Sequence, residues 1–177
     1  MKSYLEIQVP LRKDARWFKE LKSAFSDVPV KWQVGYYHIT MAFLDETPED
    51  VDLCPLLEKH LCGLAAPVIT FDKLDVFSTP SRMYIVNLTS TCVPEYFLAI
   101  IDDIRRDMRE TGCQIQSDFL FHVTLGRVKD LKTDLPSLKR LVDSVTFPPF
   151  TLVLTDVDYR IFRGKVLYET KLKTLND

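Results

Sequence analysis

No two cysteines in this chain form a CxxC pair. Cys54, Cys62, Cys92 and Cys113 stand far apart, and no histidine lies at metal-ligand spacing from any of them. The usual cysteine–histidine zinc frameworks are therefore excluded, and no metal or cofactor is called for. The four are read as buried thiols of a reducing compartment rather than as disulfides. No stretch is long and apolar enough to span a bilayer. The opening Met1-Lys2-Ser3-Tyr4-Leu5-Glu6 lacks the apolar core of a signal peptide. The expectation is a cytoplasmic protein with no membrane partner. Charge of one sign is also missing: 23 Lys and Arg stand against 25 Asp and Glu, for a net charge of −2. No global basic field draws in a long nucleic-acid duplex. A small nucleotide or an RNA end remains compatible, because a few local arginines can serve a short anion. No low-complexity segment or linker is visible.

What is present is an ordinary globular composition, 46% hydrophobic and 27% charged over 177 residues. That length suits a single domain over 1–177, built as two small lobes sharing a core, and can bury a core without staples. Oligomeric state is left open, with a monomer as the default. Leu5, Ile7 and Val9 alternate in a strand over Tyr4 to Val9. Ala15, Phe18, Leu21 and Phe25 recur at helical spacing. Thr47-Pro48-Glu49-Asp50 reads as a helix start, with the helix running to about Leu61 and stopping at Gly63. Val68 to Phe77 and Met83 to Leu88 read as strands. Pro94 opens a helix whose inner face carries Phe97, Ile100, Ile101, Ile104 and Met108, ended by Thr111-Gly112. Phe119 to Val128 is a strand, Asp134 and Pro136 open a shorter helix, and Phe150 to Asp158 with Lys165 to Lys173 form a terminal hairpin.

Two of the three histidines open the same pattern, His38-Ile39-Thr40-Met41 and His122-Val123-Thr124-Leu125. On a strand, successive side chains point to opposite faces. His38 and Thr40 then share one face, with Ile39, Met41 and Phe43 on the other. Likewise His122, Thr124 and Gly126 share a face opposite Phe119, Phe121, Val123 and Leu125. Each motif falls on the second main strand of a half, and the two halves repeat one supersecondary order. A pseudo-twofold axis between them would bring the histidines face to face. The fold expected is α+β and two-lobed, with antiparallel sheets, outer helices and a central cleft.

Two imidazoles flanking one phosphodiester can divide the proton transfers between base and acid. Two threonine hydroxyls can donate to the non-bridging oxygens, where charge grows in the transition state. A strained 2',3'-cyclic phosphate suits such a site, because the protein need only orient groups that already react.

These paired motifs resemble the 2H phosphoesterase superfamily, defined by two HxTx motifs in a duplicated two-lobed fold. The resemblance covers essentially the whole chain. Its nearest branch is the bacterial and archaeal RNA 2',3'-cyclic phosphodiesterases, also called 2'-5' RNA ligase-like proteins, and Arg127 after the second motif resembles that branch too. The resemblance implies His122 as proton acceptor, His38 as proton donor and a 2'-phosphate product. It leaves open a 2'-5' oligoadenylate or ADP-ribose cyclic phosphate substrate, 2'-5' RNA ligation, or a nucleotide-binding module with little catalysis. Two departures stand out: Phe121 where many members have Pro before the second histidine, and Tyr36-Tyr37 before the first.

Outside the four motif residues, each candidate has a plainer reading beside it. Arg127 either holds a phosphate through its guanidinium fork or is a strand-end surface charge. Arg82 and Arg163 read as surface residues at turns. Among Tyr36, Tyr37, Phe77, Phe119 and Tyr159, any could stack a base, although most aromatics fill core. Tyr37, next to His38, is the candidate for the rim. His60 near a helix end reads as structural or surface. Arg105, Arg106 and Arg109, interleaved with acids, read as a solvated helix face.

Overall fold

The computed structural model describes residues 1–116, 118–129 and 132–174. In chain order the elements are β1 (Ser3–Val9), α1 (Arg16–Ala24), β2 (Val30–Trp32), β3 (Tyr37–Glu46), α2 (Cys54–Leu61), β4 (Val68–Phe71), β5 (Lys73–Ser78) and β6 (Tyr84–Thr89). They continue as α3 (Glu95–Glu110), β7 (Gln114–Ile115), β8 (Val123–Val128), α4 (Leu135–Asp143), β9 (Phe150–Val153), β10 (Asp156–Ile161) and β11 (Val166–Lys171). All the strand pairs named below are antiparallel. One sheet has the order β11-β10-β1-β3-β7, a second β2-β8-β6-β5, and a two-stranded ribbon joins β4 to β9.

Four strands of the five-stranded sheet have counterparts in the four-stranded one, and β11 has none. The run β10-β1-β3-β7 in one matches β5-β6-β8-β2 in the other. The short strands β2 and β7 each precede one histidine strand in the chain and pair with the other one. Each motif strand thus sits inside a sheet, held on both sides, and the two sheets are stitched together by exchanged edges.

Apolar side chains explain the layers. Leu5, Ile7 and Val9 on β1 are buried, as are Trp17, Phe18 and Leu21 on α1. On α3, Phe97, Ile101, Ile104 and Met108 are buried at helical spacing, each such side chain contributing about 1.5–3 kcal/mol. The Asp134 carboxylate caps α4 by accepting from the Ser137 amide at 2.7 Å. Gly63 and Gly112 follow α2 and α3 with φ of 76° and 88°, the left-handed conformation that glycine adopts without a Cβ penalty.

Several expectations need correction. Residues 47–53 are not helical, and α2 begins at Cys54. Thr47 is buried with its hydroxyl near that of Ser3, and the Asp52 carboxylate instead accepts from the Cys54 amide at 2.9 Å. The stretch Val68 to Phe77 breaks at Asp72 into β4 and β5, which belong to different sheets. Phe150 to Asp158 breaks in the same manner into β9 and β10. Of the four thiols only Cys113 is buried; Cys62 and Cys92 are exposed and Cys54 is half-buried. His60 joins two helices: its Nε2 lies 2.7 Å from Asp107 Oδ2. That contact, ahead of those from Lys59 and Arg106, holds the Asp107 carboxyl down to about 2.

Candidate active site

Each motif strand carries a β-bulge at the fourth motif residue. Along β1 and β3, Glu6 faces Thr40 and Leu5 faces Ala42, so Met41 is the extra residue. Along β6 and β8, Asn87 faces Thr124 and Val86 faces Gly126, so Leu125 is extra. A bulge re-aims every residue beyond it. Strict alternation is therefore wrong past the fourth position. Phe43, expected on the core side, joins Thr40 in lining the cleft. Gly126 lies on the core face, where an added Cβ would sit 2.6 Å from Val30 Cγ1 and 2.9 Å from Trp32 Cε3. Arg127 takes the cleft-side position in its place.

Strands β3 and β8 approach one another, and Thr40 and His122 line a common cavity of about 670 Å³. His122 immediately precedes β8. Its Nδ1 lies 2.8 Å from the Leu120 carbonyl oxygen. A carbonyl only accepts, so Nδ1 carries the hydrogen and Nε2 keeps its lone pair. Burial lowers the pKa of His122, the Leu120 bond opposes that shift, and Arg127 adds to it. A neutral imidazole with a free Nε2 is a competent base.

His38 has different surroundings. Its side chain is 21% exposed, enough for a substrate to reach it. Its pKa falls to about 4, first through burial, then through Arg127, His122 and Arg160. Its Nδ1 lies 3.5 Å from Oε2 of Glu6, whose side chain is fully buried. The Tyr36 hydroxyl donates to Glu6 Oε1 at 2.8 Å, and Arg160 Nη1 lies 3.6 Å from the same oxygen. Arg160 also donates to the Tyr36 hydroxyl. Gln8 donates to Asp158 at 2.7 Å on the same sheet face. Sequence reasoning passed over Glu6 and Arg160 and weighed Tyr36 only as an aromatic that could stack a base. The alternation of β1 puts Glu6 opposite the core face, which was the available signal.

The cleft has two unlike ends. Phe43, Phe77, Met83 and Phe119 line one end beside His122, and the Phe77 ring meets the His122 ring edge-on at 5.0 Å between centroids. At the other end Arg127 donates to Gln33 Oε1 at 2.9 Å, and its charge acts on both histidines. Arg105 does not lie on a solvated face. It is 4% exposed, lines the cavity, and donates to the carbonyl of the bulge residue Met41 at 3.2 Å. Tyr37 is not at the rim: it is 3% exposed, packs edge-on against Phe18 and donates to the Gln33 carbonyl. Its neighbour Tyr36 takes the rim position, with its ring 5.4 Å from that of His38. Tyr159 is core. Arg82 and Arg163 occupy turns at φ of 57° and 58°.

Residues 88–167 match the family model described as LigT like phosphoesterase. No curated protein sequence matches the chain. Among solved structures, Usb1 from Kluyveromyces marxianus with uridine monophosphate superposes with a TM-score of 0.67 at 11% identity, covering 97% of this chain and 98% of that one. TT0787 of Thermus thermophilus gives 0.60 at 16% identity, covering 99% and 100%. E. coli LigT complexed with 3'-AMP gives 0.53 at 20% identity, covering 98% and 97%. At such identities the likeness concerns the fold. The matched segment contains the second HxT motif, and the shared fold extends over nearly the whole chain, in line with the resemblance that the paired motifs carry.

Proposed function

We propose that this protein hydrolyses a 2',3'-cyclic phosphate at an RNA end or on a nucleotide, leaving a 2'-phosphate, by acid–base catalysis from His122 and His38 without a metal. The observation that carries the reading is the His122 tautomer: Nδ1 bonded to a backbone carbonyl leaves Nε2 free to take a proton. Water attacks phosphorus as His122 Nε2 removes its proton. The P–O3' bond breaks, and His38 Nε2 gives a proton to the leaving oxygen. Thr40 and Thr124 donate to the non-bridging oxygens as charge builds there. Each proton transfer contributes about 10²–10⁴-fold in rate. Arg127 adds positive charge for the phosphate, and the Phe43, Phe77 and Phe119 end seats the base by stacking. Both halves of the chain supply one histidine, so residues 1–177 act as one catalytic domain. A cytoplasmic setting suits its four free cysteines. Among the described residues no helix is long and apolar enough to cross a membrane.

Phosphorus NMR tests the reading with a short RNA ending in a 2',3'-cyclic phosphate and a chelator present. Conversion to a 2'-phosphate is expected, and none with the His38→Ala/His122→Ala double variant. No conversion by the native chain, or equal conversion by the variant, refutes it.

A further inference from the structure

The acid role of His38 poses a chemical difficulty. An imidazole held among Arg127, His122 and Arg160 does not readily carry a proton at neutral pH. Among the described residues three buried polar atoms of this cluster lack hydrogen-bond partners: His38 Nδ1, Glu6 Oε2 and Arg160 Nε; the first two are the ones that face each other. His38 Nδ1 and Glu6 Oε2 lie 3.5 Å apart. Buried polar atoms are rarely left unpaired, and here one proton placed between the two would satisfy both. A small side-chain rotation brings them within hydrogen-bond range.

The other motif lacks this arrangement. Glu6 faces Thr40 across its strand pair, and Asn87 holds the corresponding place facing Thr124. Asn87 donates to the carbonyls of Asp75 and Ile85 and does not titrate. Arg160, which pairs in register with Tyr4, corresponds to Phe77, which pairs with Ile85. His122 is thus backed by a carbonyl and an aromatic ring, and His38 by an ionisable cluster. The asymmetry falls on the two histidines according to their proposed roles.

We propose that Glu6 is a positioning residue that holds the proton His38 needs, delivering it to Nδ1 as Nε2 donates to the leaving oxygen. The inference rests on the reading of His38 as proton donor. In the resting site His38 carries hydrogen on Nε2, and Glu6 carries one on Oε2. During reaction the Glu6 proton moves to Nδ1 and the Nε2 proton moves to the leaving oxygen. His38 ends neutral with hydrogen on Nδ1, Glu6 ends as a carboxylate, and His122 holds the proton taken from water. Return of that proton through solvent to His38 Nε2, with the Nδ1 proton passing back to Glu6 Oε2, resets the site. Groups facing Glu6 are Tyr36, His38, Arg160 and Asp158; those facing His38 are Tyr4, whose ring stacks on it at 6.0 Å between centroids, and His122, Arg127 and Arg160. Their balance suits the role. Burial raises the Glu6 carboxyl to about 7, more than Tyr36 and Arg160 lower it, and Asp158 adds to the rise.

Glu6→Gln keeps the shape and removes the titrating proton. Nitrogen-15 NMR of the histidine rings in the free protein, with His38 assigned by difference from His38→Ala, reads the pair without any substrate. A titration step of the His38 ring near pH 7 is expected in the native chain and is expected to vanish in Glu6→Gln. Absence of that step in the native chain, or its persistence in the variant, overturns the proposal. The native titration alone decides if the variant does not fold. With the cyclic-phosphate RNA, Glu6→Gln should lower kcat by about 10–100-fold, less than losing the imidazole, leave KM unchanged, and move the alkaline limb of the rate to lower pH. A rise in KM with kcat intact overturns it. If the native chain turns over no cyclic phosphate, the proposed function fails, and the ring titration still judges the Glu6–His38 pair.

Discussion

Gly126→Ala adds one methyl group at a position that simple strand alternation assigns to the open cleft and the bulge at Leu125 assigns to the core. The new Cβ would stand 2.6 Å from Val30 Cγ1, 2.9 Å from Trp32 Cε3 and 3.2 Å from Trp32 Cζ3. Carbon atoms pack best at about 3.5–4.0 Å, so the closest overlap is about 1 Å. Both neighbours belong to β2, whose register on β8 is set by Val30↔Val128 and Trp32↔Gly126. Relief requires β2 to move away or the Trp32 ring to turn. Overpacking of this kind costs about 1–3 kcal/mol, and a chain of this size loses roughly 2–4 °C in Tm per kcal/mol. Thermal unfolding followed by circular dichroism should therefore show a midpoint lowered by several degrees. Combining it with Val30→Ala, which vacates the nearest atom, should recover part of the loss, a coupling of about 0.5–3 kcal/mol between neighbours. An unchanged Tm together with impaired turnover would refute the argument, because it would put residue 126 on the cleft face.

His38→Ala and His122→Ala should each lower turnover by about 10²–10⁴-fold with little change in Tm; near-full activity in either would end the two-histidine mechanism. Thr40→Val keeps the strand shape and removes a hydroxyl, so kcat should fall by at most about 10²–10³-fold, and an unchanged rate would make Thr40 a strand residue only. His122 acts as a base in its neutral form, and its pKa lies below the ordinary histidine value. The acid limb of kcat/KM should accordingly fall below pH 6.5, and a limb above that value would contradict the assignment. Arg105→Met removes the donor to the Met41 carbonyl. Denaturant unfolding should register a loss of about 1–3 kcal/mol, while an identical curve would show that the bulge holds itself.

Local chemistry made much of the chain legible from its residues. The pattern His, apolar, Thr, apolar fixes which side chains share a face for three residues, and it does so twice. Pro94, Asp134, Gly63 and Gly112 mark helix ends through backbone angles and caps that need only near neighbours. The apolar spacing on α3 selects the buried side that the structure shows. Tertiary structure decided what depends on a partner strand or a distant charge. A bulge is a mismatch between two strands, so nothing in β3 or β8 alone announces that Phe43 and Arg127 turn into the cleft and Gly126 turns away. Tyr36 and Tyr37 differ only by which face of the sheet each meets. Arg105 looks like its solvated neighbours until the Met41 carbonyl, 64 residues earlier, becomes its partner. Glu6 reads as a polar residue on an alternating strand. Only pairing with β3 and β10 buries it fully and brings it beside His38 and Arg160, because burial and electrostatic environment are set by what the rest of the chain packs around a group.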